Sequence, residues 1–142
     1  MHIAFALFAD AANLSQEGKL NILGVFDALH VGSLPAVHPR ATLVLRLKGG
    51  RADVGTHGLR LEWRNPAGAE LWSSDGALNV TALPPGVTEM DMPIIAALDL
   101  PIDQAGEYTL RVAIDDEVKV AVPLQVRSAD QPMRPIVGGL VS

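Results

Sequence analysis

The stretch Glu107-Tyr108-Thr109-Leu110-Arg111-Val112-Ala113-Ile114-Asp115-Asp116-Glu117-Val118-Lys119-Val120-Ala121-Val122-Pro123-Leu124-Gln125-Val126 holds two alternating runs joined by three acidic residues. Alternation with period two marks a strand with one buried face, because successive side chains leave the backbone on opposite sides. Tyr108, Leu110, Val112 and Ile114 are expected inward on the first run. Val118, Val120, Val122, Leu124 and Val126 are expected inward on the second. The short polar link Asp115-Asp116-Glu117 is the pattern of a β-hairpin.

The same period governs the rest of the chain. Leu43, Leu45 and Leu47 alternate with Thr42, Val44, Arg46 and Lys48. Leu59, Leu61 and Trp63 alternate with Arg60, Glu62 and Arg64. Between the runs lie turn signals: Asn65-Pro66-Ala67-Gly68, Gly49-Gly50 and Leu83-Pro84-Pro85-Gly86. Gly24 interrupts the run from Leu20 to Val31, which signals a bulge or a close backbone approach. The spacing predicts about eight strands, over 2–9, 20–31, 40–48, 56–64, 69–82 (broken near Asp75-Gly76), 90–100, 107–115 and 118–127. Only Asp10 to Lys19 has room for a short helical turn. Short turns without intervening amphipathic helices argue an all-β fold, a two-sheet antiparallel β-sandwich over residues 1–127. Residues 128–142 carry Pro132, Pro135, Gly138 and Gly139 and read as an extended tail. That tail is nonetheless apolar at Met133, Ile136, Val137, Leu140 and Val141.

The run Asp103-Gln104-Ala105-Gly106-Glu107-Tyr108-Thr109-Leu110 resembles the entry to a late strand of an immunoglobulin-like sandwich. In such domains a corner tyrosine bonds its hydroxyl to the upstream backbone, and a core tryptophan lies on a middle strand. The resemblance implies those roles for Tyr108 and Trp63. Leu110 stands where the family has a cysteine, and the Asp-to-Tyr spacing is one residue longer than usual. No disulfide is possible, since the chain has no cysteine.

The 142 residues fit one domain. A domain of this size buries about 70% of its unfolded surface and needs no covalent staple. The apolar run from Met1 to Ala9 has no preceding base and stops at Asp10, so it reads as a buried strand and not a signal peptide. With no stretch near the ~20 apolar residues of a membrane helix, a cytoplasmic location is expected. Net charge is −5, which disfavours nucleic acid and anionic lipid as partners. Its distribution is uneven: Arg40 to Arg64 carries a net +4, and Asn65 to Glu117 a net −9.

No residue cluster points to catalysis. His2, His30, His38 and His57 form no metal-binding pair in sequence. His30 and His38 flank one loop, where an acid from elsewhere would complete a site. His57 reads as a hydrogen-bonded residue at a strand end. No serine sits in a nucleophile elbow, and neither Gly49-Gly50 nor Gly138-Gly139 has a phosphate-loop context. Asp75, Asp99 to Asp103 and Asp115 to Glu117 would supply oxygens to calcium if they converged, but their spacing lacks a loop motif. No cofactor is expected. The leading candidate surface is basic: Arg46 and Lys48 on one strand, Arg60 and Arg64 on the next, forming one patch if these two strands pair as a hairpin. Outward charges that protect sheet edges are the plainer reading.

The segment Phe8-Ala-Asp-Ala-Ala-Asn-Leu-Ser-Gln-Glu-Gly-Lys-Leu-Asn-Ile-Leu-Gly-Val-Phe-Asp27, with Leu43 to Leu47 and Gly55-Thr56-His57 after it, resembles an uncharacterised bacterial family of small β-sandwich proteins. The resemblance implies a soluble bacterial protein and carries no activity with it. Physically the segment reads as a long hairpin with Asp10, Asn13 and Asn21 capping its turn. A ligand site formed by Asp10, Lys19, Asn21 and Asp27 is the alternative.

Function is thus not specified by motif. The expectation is a non-enzymatic interaction module that associates with itself or with an acidic protein surface. Its contacts would come from Arg46, Lys48, Arg60 and Arg64, or from Met133, Ile136, Val137 and Leu140. A sandwich binding a small ligand or carbohydrate is the alternative, and requires exposed aromatics. A hydrolase built from Asp and His is less favoured.

Overall fold

The computed structural model describes residues 1–128. Nine strands form two sheets among them: β1 (His2–Leu14), β2 (Leu20–Phe26), β3 (Ala28–Val31), β4 (Ala36–Gly49), β5 (Gly55–Arg64), β6 (Glu70–Val80), β7 (Met90–Ile102), β8 (Gly106–Ile114) and β9 (Glu117–Ser128). A four-stranded sheet has the order β2-β1-β4-β7, and a five-stranded sheet the order β3-β9-β8-β5-β6. All pairings are antiparallel except β3 with β9, which is parallel. The order β9-β8-β5-β6, with β4 and β7 adjacent in the facing sheet, is that of an immunoglobulin-like sandwich. The tail residues Met133, Ile136, Val137 and Leu140 lie outside the described residues.

The alternating runs place the core. Leu43 and Leu45 from one sheet face Leu61, Trp63, Tyr108, Leu110, Val112, Val122 and Leu124 from the other, all buried. Trp63 is fully buried on β5, stacked on Tyr108 at 5.1 Å between ring centroids and edge-on to Phe8 at 6.2 Å. Its Nε1–H donates to the Pro101 carbonyl on β7 at 2.9 Å, so it ties the two sheets together. At the corner before β8, the Tyr108 hydroxyl accepts from the backbone N–H groups of Asp103 and Gln104 at 2.9 Å. The Asp103 Oδ1 and the Gln104 carbonyl, each 2.7 Å away, are the acceptors for its single proton. Both roles implied by the immunoglobulin resemblance are thus filled without the disulfide.

Several boundaries differ from the sequence reading, each for a local reason. The run 20–31 is two strands, because the chain crosses between sheets at Asp27. Residues 10–14 extend β1 and form no helical turn; the single helical element among the described residues is a 3₁₀ turn, Arg51–Asp53. β6 is unbroken at Asp75-Gly76. Val118 is 48% exposed where it was expected inward. Val112 pairs with Val120 but Ala113 with Val118, so Lys119 is an extra, bulged residue. One inserted residue reverses the faces beyond it. Gly24 has φ +67° and lies against Asp10, whose Oδ2 would be 2.3 Å from an added Cβ. The close approach expected there is present.

Replacing Tyr108 by Phe removes the hydroxyl that two backbone donors share, while the aromatic stack remains. We expect a loss of about 1–3 kcal/mol, read as a lower urea midpoint at unchanged m-value. A loss below ~0.5 kcal/mol would mean that the corner contributes little to stability. A Gly24→Ala variant should also be destabilised, and Asp10→Ala in the same chain should recover part of the loss, because only the collision and not the positive φ is relieved. Thermal midpoints of the single and double variants check this.

Candidate interaction surfaces

The four basic residues singled out from the sequence do not form one patch. β4 and β5 do not pair; Gly50 to Val54 carries the chain from one sheet to the other. Each strand buries its apolar stripe in the same core from opposite sides. The outward charges of β4 and β5 therefore point away from each other.

Each base also finds acids on its own sheet. Arg46 makes a bidentate pair with Asp91, its Nε 3.0 Å from both carboxylate oxygens. Lys48 lies between Glu89 at 3.8 Å and Asp91 at 3.7 Å. On the other face, Arg60 donates to both oxygens of Asp75 at 3.0 and 3.1 Å and reaches Glu62 and Glu70. Arg64 bonds Glu62 at 3.1 Å, and Arg111 approaches the same carboxylate at 3.9 Å. Lys48–Asp91, Arg60–Asp75 and Glu62–Arg111 are directly opposed across their strands. Exposed as they are, such pairs contribute little to stability individually, and their effect is to set which charges face one another. The Arg60 and Arg64 guanidinium groups hold the Glu62 carboxyl below the usual carboxylate range, and Arg46 does the same to Asp91. The segregation of charge along the chain is undone by antiparallel pairing, which sets basic strands beside acidic ones.

The histidines divide likewise. His30 on β3 and His38 on β4 lie in different sheets, and His38 packs edge-on to Phe26 at 5.7 Å. His57 does meet a carboxylate. Its Nδ1 is 2.6 Å from Asp115 Oδ2, and its Nε2 is 2.6 Å from the Asp53 carbonyl. Two acceptors require two protons on the ring, so the imidazolium form fits the site. The bond to Asp115, then that to the Asp53 carbonyl, raise its pKa above the ordinary value. Asp115 is held low by His57 and by the Gly58 N–H. A ring with both nitrogens engaged is a clasp between the β8–β9 turn and the segment before β5. The hollow beside it is lined by Gly58, Leu59, Arg60, Asp75, Gly76, Ala113, Asp115 and Asp116 and not by the imidazole.

The other sequence candidates are dispersed. Asp99 caps the Arg40 N–H at 3.0 Å and Asp103 serves the tyrosine corner, at the end of the sandwich opposite Asp115. Among the described residues no three His, Asp or Glu residues are placed to hold a metal ion. Asn13 and Asn21 bond each other across the first hairpin at 3.0 Å, while Asp10 lies over Gly24, so the proposed N-terminal ligand site does not assemble. None of the six aromatic residues is exposed.

What the sequence reading missed are the surfaces left unpaired. The outer face of the four-stranded sheet carries Leu23 and Val25 on β2 at 70% and 60% exposure, with Ile95 and Ala97 on β7. Among the described residues the four sheet edges are β2, β7, β3 and β6. Three of them are obstructed: β2 by the positive φ at Gly24, β7 by Pro93 and Pro101, and β3 by its length of four residues. β6 is not. From Trp72 to Val80 it pairs with β5 residue for residue, contains no proline or lysine, and is exposed from Ser73 to Ala77. The unpaired side of a long, regular edge presents backbone donors and acceptors to a further strand.

These features define a β-sandwich of immunoglobulin-like topology with one open edge among the described residues. Residues 4–127 match the model of the family of unknown function DUF6941, and the chain belongs to that family. No curated protein matches it. Among solved structures, an immunoglobulin-like protein from Pseudomonas aeruginosa is similar over 89% of this chain and 95% of its own length, at 14% identity and a TM-score of 0.37. No helix among the described residues is long and apolar enough to cross a membrane.

The His57–Asp115 clasp has a pH signature. His57 is raised when folded, so its stabilisation is complete below the unfolded value of about 6.5 and is lost as pH rises through the folded value. Asp115 is lowered, so its share is lost as pH falls through the folded carboxylate value, below about 3.9. The stability difference between the native chain and a His57→Gln variant should therefore be largest near pH 5 to 6 and shrink above neutrality. Urea midpoints across that range decide it; a difference that grows with pH would contradict the imidazolium assignment.

Proposed function

We propose that this protein is a non-enzymatic interaction module whose working contact is strand addition at the β6 edge. The observation that carries the reading is the contrast among the four edges: three are obstructed and β6 is long, regular and exposed. Backbone hydrogen bonds along an added strand supply affinity, and alternate side chains supply selectivity. The engaged imidazole of His57 supports a non-enzymatic role, since no ring lone pair is left to accept a proton. The internal pairing of Arg46, Lys48, Arg60 and Arg64 argues for a contact that does not depend on an acidic partner. A cytoplasmic bacterial setting belongs to the same proposal.

The test is an amide chemical-shift titration with a nine-residue peptide of alternating Val and Thr, capped at both ends and carried to large excess so that it competes with any strand already paired at the edge. The expected result is a set of perturbations concentrated on Trp72 to Val80, with slowed amide exchange there and little change on raising salt. Perturbations concentrated on Leu23, Val25 and Ile95 would instead assign contact to the apolar face of the other sheet. Shifts reversed by salt at Arg60 and Arg64 would restore the charge-driven reading and overturn this one.

A further inference from the structure

The regular part of the β6 edge has a property beyond being open: it is self-complementary. We infer that β6 pairs antiparallel with β6 of a second copy of this chain, about a two-fold axis at Gly76, joining two five-stranded sheets into one. This inference rests on the edge reading above and names its partner.

A two-fold axis normal to the sheet places each residue opposite its mirror position in the partner strand, and keeps every side chain on its own face. The uninterrupted ladder between β5 and β6 runs from Trp72 to Val80, and Gly76 is its midpoint. An axis at Gly76 therefore pairs the whole regular stretch. Trp72 then faces Val80, Ser73 faces Asn79, Ser74 faces Leu78 and Asp75 faces Ala77. No like charges are opposed, and Asp75 is already neutralised by Arg60. An axis at Asp75 would set two carboxylates directly opposite, which destabilises a strand pair. An axis at Ser74 would draw in Leu71, where the register shifts. One at Leu78 would pair only the end of the strand. The nine-residue register would form about eight to ten interchain backbone hydrogen bonds, close to the ~10 of a typical specific interface.

Gly76 also makes the test direct. An added Cβ meets no atom of the described residues within 4 Å, so the position accepts a side chain without disturbing them. The chain has no cysteine, so one introduced thiol is the only one present. Across a two-fold at this position the two Cβ atoms would be about 4.5–5.5 Å apart, within reach of a disulfide after small adjustment. A thiol at Ser73 would lie about 20 Å from its copy.

Under mild oxidation, Gly76→Cys should become a covalent dimer while Ser73→Cys remains unlinked. By light scattering the unaltered chain should have the mass of a dimer, and Gly76→Asp that of a monomer with an unchanged far-ultraviolet strand spectrum. A Gly76→Asp protein that stays dimeric, or a Gly76→Cys protein that links no faster than Ser73→Cys, overturns the inference. So does an unaltered chain that is monomeric at every concentration. If self-pairing fails but the Val/Thr peptide still perturbs Trp72 to Val80, the edge serves a different protein and the module reading stands. If the peptide also leaves those residues unchanged, both fall.

Discussion

The sandwich depends on Trp63. Its indole is the largest fully buried side chain, and it makes three different contacts at once: a stack on Tyr108, an edge contact with Phe8, and a hydrogen bond to the Pro101 carbonyl. Two of these reach the opposite sheet, so the indole sets the distance between the layers and their relative position along the strands. The Tyr108 ring beneath it is fixed by its own hydroxyl at the Asp103–Gln104 corner. A buried indole without a partner for its N–H would cost more than its stacking contributes. The carbonyl at Pro101 is therefore as much part of the core as the rings. In this chain that cluster does the work assigned elsewhere to an inter-sheet disulfide.

With the layers fixed, the two outer faces become chemically different. On the five-stranded sheet Arg60, Arg64 and Arg111 surround Glu62, with Asp75 and Glu70 alongside, and the charges are balanced in place. On the four-stranded sheet ion pairs stay near one end, at Arg46, Lys48, Glu89 and Asp91, and apolar residues fill much of the remainder. Individually such exposed pairs contribute little to stability. Their consequence is one of recognition: a face whose charges are satisfied internally has little left to offer an ionic partner, and backbone hydrogen bonding at the edges becomes the more specific means of contact.

The reading from sequence was accurate where burial is decided by near neighbours. The Leu43, Leu59 and Tyr108 runs became strands with the expected faces inward, the Asp115-Asp116 link became a two-residue hairpin turn, and Gly24 marked a close approach. It failed where one residue changes the parity or the partner. Lys119 is a single extra residue, and nothing in an alternating run of valines announces it, so the alternation puts Val118 on the wrong face. Asp27 sits within what reads as one long run, yet there the chain leaves one sheet for the other. The basic patch required β4 and β5 to pair as a hairpin, and these strands, though consecutive in the chain, lie in different sheets.

The amino-acid sequence by itself determined that the protein is an all-β sandwich stapled by no disulfide, which faces of most strands are buried, and that Trp63 and Tyr108 belong to its core. These follow from period-two alternation and from local turn chemistry, both of which operate over a few residues. Tertiary structure alone decided that Arg60 meets Asp75, that His57 closes on Asp115, and that β6 is the edge left open. Each of these depends on which strands lie side by side. That choice is made by the packing of the whole core across long sequence separations, and no short stretch of the chain contains it.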